Sequence, residues 1–274
     1  MTTATTTRPV APVPPARSVR PGVPSVLRHS ATLAWRGVVK TIHSTEALLD
    51  VTLQPVIFLL LFVYVFGGAI AGDTTTYLQY ALPGVLVQTV VFASAGTGTG
   101  LADDLKSGIF DRFRSLPISR TAPLLGAIGA DLVRYVTSGV IMLAFGFLLG
   151  FRTNAGVLAV LAALALVTVF AFALCWVFTA LAMVLREPRS VQGLGALVIL
   201  PLTFGSNVFV PTATLPTWLQ AFVAVNPVSK VADAVRGLLS GGPVAGPATA
   251  TLIAAVVLVG VFGPLAVVLY RRRT

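Results

Sequence analysis

Residues 51–72, VTLQPVIFLLLFVYVFGGAIAG, form an uncharged stretch of 22 residues between Asp50 and Asp73. Wound as an α-helix the stretch would measure about 33 Å, enough to cross a hydrocarbon core of about 30 Å. A charge at that depth costs several kcal/mol, so the carboxylates on either side mark the ends of a first span near 51–71.

The same reading carries along the chain. Asp73 to Asp103 encloses a second span near 78–101, and a charged segment, 103–120, follows. The third expected span runs from about 124 to Phe151 and carries Asp131 and Arg134 in its first turns. Arg152 to Arg186 leaves a fourth near 156–184. From Arg189 to Lys230 lie 40 uncharged residues, too many for one span and too few for two with a normal loop. A fifth helix over 190–209 is expected there, followed by short interfacial pieces broken by Pro211, Pro216 and Pro227. A sixth over 248–270 stops at Arg271-Arg272-Arg273. The expected fold is an all-α integral membrane protein with six transmembrane helices over 49–274.

Composition agrees. Hydrophobic residues make up 56% of the chain and charged residues 10%, with a mean hydropathy of +0.91. A soluble domain carries about 25% charged residues to cover its surface. The net charge of +10 points to lipid headgroups rather than nucleic acid, since no basic stripe alternates with stacking aromatics. The lone Cys175 has no disulfide partner and sits in an apolar run, as a small core residue.

Residues 1–24 lack an apolar core and are expected to form a disordered cytosolic tail. In 25–48, Trp35, Val38, Val39 and Ile42 interleave with Arg28, Arg36 and Lys40. That pattern predicts a basic amphipathic helix in the membrane interface, with Trp35 at headgroup level. If the amino terminus is cytosolic, every basic residue except Arg152, Lys230 and Arg236 falls on the cytosolic side. The positive-inside rule therefore predicts two cytosolic termini in a multi-pass protein of the cell membrane.

The charged segment is the most informative one. At helical spacing Leu105, Ile109, Phe113 and Leu116 share a narrow face, with Asp104, Ser107, Asp111 and Arg114 largely opposite. The spacing predicts an amphipathic cytosolic helix over 103–117, ended by Pro117. It reads either as an ordinary interfacial loop or as a docking surface for a cytosolic partner. In the second reading Phe110, Arg112, Phe113 and Arg114 receive force. Mixed charge with exposed aromatics suits a protein contact better than a lipid one.

Other chemistry finds less support. Asp103-Asp104 could hold magnesium and a diphosphate, but no second acidic cluster exists in the expected cytosolic loops. The lysines are Lys40, Lys106 and Lys230, none of which follows a glycine. That excludes a P-loop, and with it nucleotide hydrolysis through one by this chain. Gly96 and Gly100, and Gly146 and Gly150, stand at the small-xxx-small spacing that lets helices approach closely. Asp131 and Arg134 can pair along one helix face near the cytosolic boundary, as an anchor or as a gate. No metal site is expected, and no residue is singled out for substrate.

Several segments resemble the type-2 ABC exporter permeases. They are Phe66-Gly67-Gly68-Ala69-Ile70, Tyr80-Ala81-Leu82-Pro83-Gly84-Val85, the block from Gly108 to Pro117, the run from Pro201 to Pro211, and Asn226-Pro227-Val228. The resemblance extends from about Ala34 to Arg272. It implies a homodimer in which each copy docks a separate cytosolic ABC ATPase, so that ATP and magnesium sit on the partner and no cofactor binds this chain. It implies that 25–48, with Trp35, Arg36 and Lys40, is an elbow helix, and that 103–117 is the coupling helix. The stretch 209–227, with Phe209, Pro211, Pro216, Trp218, Asn226 and Pro227, would form short re-entrant helices at the outer face. Expected cargo is an amphipathic, anthracycline-like drug moved outward. A lipid or polysaccharide cargo, or a structural membrane protein with no pathway, are the alternatives.

Overall fold

The computed structural model describes residues 31–32, 34–35, 37–39, 45–109, 122–153, 155–185 and 187–273. No strand occurs among them, and nearly all are helical. The expected tail over 1–24 lies outside the described residues.

Helix α1 spans Thr45–Leu61 and passes through a five-residue π-helical turn, Phe62–Phe66, into a short α2, Gly67–Ala71. The path then reverses over two residues. Gly72 takes φ 81° and closes α2 on Gly68. Asp73 caps the next helix by accepting the Thr76 N–H at 2.8 Å. Glycine suits the first position because a side chain is strained at positive φ, and aspartate suits the second because its carboxylate meets a free helix N–H.

Helix α3, Thr74–Lys106, is 33 residues long and so about 50 Å, well beyond a hydrocarbon core. The expected span over 78–101 is therefore only its middle. Helix α4 covers Ala122–Leu148, α5 Val157–Leu185, α6 Pro188–Phe204, α7 Thr217–Val225, α8 Pro227–Ser240 and α9 Ala245–Arg273. Buried residues run the length of α3, which packs against α4, α5, α6 and α8, whereas α9 is mostly exposed along an apolar surface. Exposed Leu252, Ile253, Val256, Val257 and Val261 suit lipid rather than water.

Among the described residues five stretches are long and apolar enough to cross a membrane: Leu53–Ala71, Thr74–Lys106, Pro123–Leu148, Val157–Leu185 and Ala245–Tyr270. The expected fifth crossing over 190–209 differs. Helix α6 has 17 residues, about 26 Å, and stops at Phe204, short of the expected end. Gly205 donates to the Pro201 carbonyl at 2.9 Å, and Ser206 then turns its hydroxyl back to the Thr203 carbonyl at 2.5 Å. The chain leaves the helix there and runs across the start of α3.

Close helix approach also differs from the glycine spacing. A Cβ on Gly98 would lie 2.7 Å from the Phe178 carbonyl oxygen, so α3 meets the backbone of α5 there. Gly100 has nothing within 4 Å, and Gly96 faces the Arg134 guanidinium. On α4, Gly146 receives the Leu82 side chain, but Gly150 takes φ 101° just beyond the helix end. Cys175 is buried, as expected.

Candidate functional site

At one end of the bundle Lys106 Nζ, in the last turn of α3, donates to Glu187 Oε1 at 2.8 Å and Oε2 at 3.0 Å. The loops after α3 and before α6 therefore share an end. The expected helix over 103–117 is not continuous within the described residues. Leu105 belongs to α3, which stops at Lys106, and Gly108 takes φ 71° before Ile109. A left-handed residue breaks helical periodicity, so Leu105 and Ile109 are not on one continuous face. Phe110, Asp111, Arg112, Phe113, Arg114, Leu116 and Pro117 lie outside the described residues.

Near this end the described positions of 31–39 are helical. A Cβ on Gly37 would meet that of Ala130 at 2.6 Å, and one on Gly129 would meet that of Ala34 at 3.1 Å. The two segments thus touch through small residues, while Trp35 is 68% exposed. Arg36 and Lys40 lie outside the described residues.

Asp131 and Arg134 form an ion pair on α4, Nη2 to Oδ1 at 2.9 Å. The same Nη2 donates to the Ala93 carbonyl of α3 at 2.8 Å. The hydroxyls of Thr97 and Tyr135 bond each other beside it. The pair therefore ties α4 to α3 as well as balancing its own charge. Above it a cleft of about 220 Å³ opens among α1, α3 and α4.

The opposite end is built around the segment that leaves α6. Phe209 is 5% exposed and stacks on Phe62 of the π-helical turn, centroids 4.0 Å apart, and on Phe204 at 5.3 Å. Gly84 leaves room for the Val208 carbonyl, where any Cβ would collide. Three successive carbonyls, 207 to 209, are outside any helix yet enclosed, and each finds a side-chain donor. Tyr80 Oη donates to the Asn207 carbonyl at 2.7 Å and Tyr77 Oη to that of Phe209 at 3.0 Å. Arg236 Nη2 donates to Asn207 at 2.6 Å and Val208 at 3.1 Å. Such backbone is tolerated at membrane depth only when protein satisfies it.

Arg236 is held in turn. Its guanidinium lies 4.0 Å from the Tyr80 ring centroid and 3.4 Å from Asp233 Oδ1, which also accepts from Asn207 Nδ2 at 2.6 Å. Pro211 precedes a 3-10 turn, Thr212–Thr214, and Pro216 precedes α7. Trp218 is exposed. Asn226 donates to the Leu202 carbonyl at 2.8 Å and accepts from Val228 N at 2.9 Å, and Pro227 opens α8.

Sequence reasoning missed α8 and its charges. The signal was present: Asn226 and Pro227 mark a helix start, Val228, Val231, Val235 and Leu239 share one face, and Gly241 marks the end. Tyr77 and Tyr80 carried no such signal, because two tyrosines in an apolar span read as interface anchors or packing.

A family model for the ABC-2 type transporter matches residues 29–239. The daunorubicin resistance ABC transporter permease protein DrrB1 of Streptomyces coeruleorubidus is 42% identical over 254 residues, 93% of this chain and 90% of that protein. The doxorubicin resistance ABC transporter permease protein DrrB of Mycobacterium tuberculosis (strain ATCC 25618 / H37Rv) is 31% identical over 172 residues, 63% of this chain and 60% of that protein. With five helices among the described residues able to cross a membrane and a family match over most of its length, the chain is a multi-pass membrane protein belonging to the ABC-2 type transporter family.

Proposed function

We propose that the chain is the membrane permease of an ATP-driven exporter that moves an amphipathic, anthracycline-like drug out of the cell. The observation that carries this reading is its 42% identity, across 93% of its length, to a daunorubicin resistance permease. Two copies of the chain work with two cytosolic ABC ATPase subunits, which bind ATP and magnesium, and this chain catalyses no reaction itself.

In this reading α6 and the segment that follows it complete a sixth crossing, and both termini are cytosolic. The Lys106–Glu187 contact supports that topology, since it joins the two loops that must share the cytosolic side. The segment from Ile109 to Pro117 docks the ATPase through Phe110, Arg112, Phe113 and Arg114, with the helix around Trp35 as an elbow in the interface. The polar node at Arg236 supports an outer-face role for 205–241, because it braces irregular backbone against α3.

The test is reconstitution of the full chain with its proposed ABC ATPase partner facing the lumen of vesicles loaded with daunorubicin and ATP. ATP-dependent loss of drug fluorescence quenching, absent when the ATPase cannot hydrolyse ATP, is the expected result. No ATP-dependent movement of any amphipathic drug would overturn the reading and favour a structural role.

A further inference from the structure

The cleft among α1, α3 and α4 is lined by Gln54, Phe58, Gln88, Phe92, Arg134 and Ser138. Gln88 stands 14 residues into α3, about 21 Å along its axis and therefore near mid-helix. It is 4% exposed, and its Oε1 has no hydrogen-bond partner. Arg134 spends Nη2 on Asp131 and Ala93, but its buried Nε also lacks a partner. Two residues that line the same cleft thus carry one unpaired acceptor and one unpaired donor. Leaving such groups unmet at membrane depth costs free energy that no neighbouring protein atom returns.

The walls say what could meet them. Two of the lining residues, Phe58 and Phe92, are aromatic, and Phe58 continues to Phe62 at 6.2 Å and from there to Phe209 at 4.0 Å. Stacked or tilted rings at such distances favour a flat aromatic guest over an acyl chain. The volume, about 220 Å³, exceeds the ~150 Å³ of a dry cavity that takes up benzene. Two fused rings fit that scale better than four. Asp131 balances the Arg134 charge, so selection there works through hydrogen bonds rather than net charge.

We propose that this cleft is a binding subsite for one end of a planar, hydroxylated aromatic cargo. A ring hydroxyl donates to Gln88 Oε1, and a ring oxygen accepts from Arg134 Nε, while Phe58 and Phe92 enclose the ring faces. The assignment rests on the export reading above and gives it a place within one protomer. The rings of Phe62, Phe209 and Phe204 continue from the cleft toward the opposite end.

The test uses the purified full chain in lipid nanodiscs and two fluorescent probes, 6-propionyl-2-naphthol and its methyl ether. They share shape and ketone, and only the naphthol can donate. The wild type is expected to bind the naphthol about tenfold more tightly than the ether, the scale of one buried acceptor satisfied. Gln88→Leu should bring that ratio close to one. Ala93→Met leaves every polar group in place, projects into the cleft and should lose both probes. Equal binding of both probes to the wild type, as for simple partition into lipid, would overturn the subsite. So would an unchanged ratio in Gln88→Leu, or undiminished binding in Ala93→Met. ATPase-coupled vesicles separate the two readings. Selective binding without ATP-driven movement keeps the subsite and sinks export, whereas movement with no preference for the hydroxyl sinks the subsite and keeps export.

Discussion

Arg236 of α8 lies 4.0 Å over the ring of Tyr80 on α3 while its Nη2 reaches the carbonyls of Asn207 and Val208. One side chain thus joins two helices, through residues 156 positions apart in the chain, to the loop between them. The contact is what permits irregular backbone to lie against α3. Arg236→Ala should lower stability by about 3 kcal/mol, because it leaves the Val208 carbonyl without its donor and Asp233 without its counter-ion. Tyr80→Phe keeps the ring and loses one hydrogen bond, so its cost should be about 1 kcal/mol. Thermal unfolding of the purified chain in detergent orders the two, and equal melting temperatures would contradict the bracing role.

Glycines on α3 should respond in opposite ways. Gly98→Val puts a Cβ 2.7 Å from the Phe178 carbonyl and should cost about 3 kcal/mol by forcing α3 and α5 apart. Gly100→Ala meets nothing within 4 Å and should stabilise by about 0.5–1 kcal/mol through helix propensity. The same detergent melts decide the signs.

The two ion pairs should also differ. Lys106 and Glu187 are about half exposed, so Glu187→Gln should cost less than about 1 kcal/mol, and less still in high salt. Asp131 and Arg134 are mostly enclosed, and Asp131→Ala leaves a guanidinium without its counter-ion. A loss of about 2–3 kcal/mol is expected there. Unfolding at low and high salt separates the pairs, with only the first showing clear salt dependence.

Hydrogen bonds from Thr76 hold the Asp73 carboxyl below the usual carboxylate range. A depressed folded value means the cap stabilises above the unfolded pKa of about 4 and loses that effect as pH falls through the folded value. Melting temperature should therefore fall more steeply on acidification in the wild type than in Asp73→Asn, which keeps an uncharged acceptor. Parallel curves from pH 6 to pH 3 would remove the cap from the account.

Docking has its own prediction. Arg112→Glu with Arg114→Glu should abolish ATP-driven export while the chain still reaches the membrane at normal level. Flotation with membranes and transport in ATPase-coupled vesicles measure the two outcomes. Normal export by the double variant would remove 109–117 as the docking segment.

Charge spacing located the long helices because membrane depth penalises each ionised group, and that penalty depends on composition alone. Helix ends were less legible. Nothing in the uncharged run after Asp73 tells where α3 leaves the membrane, and its 33 residues outrun any hydrophobic window. The break at Gly108 was hidden because the spacing of Leu105 and Ile109 suits one unbroken helix. Of the segment after α6, Asn226 and Pro227 were readable as a helix start.

The sequence by itself determined that this is a multi-spanning α-helical membrane protein without a P-loop, since both follow from which residues are present and how far apart they lie. Tertiary structure alone decided that α6 stops at Phe204, that Gly98 rather than Gly100 is the close approach, and that Gln88 and Arg134 line one cleft. It alone decided that Tyr77, Tyr80 and Arg236 serve three successive carbonyls. Those facts depend on distances between residues far apart in the chain, where a hydrogen bond forms or fails within tenths of an ångström, and no local pattern encodes that.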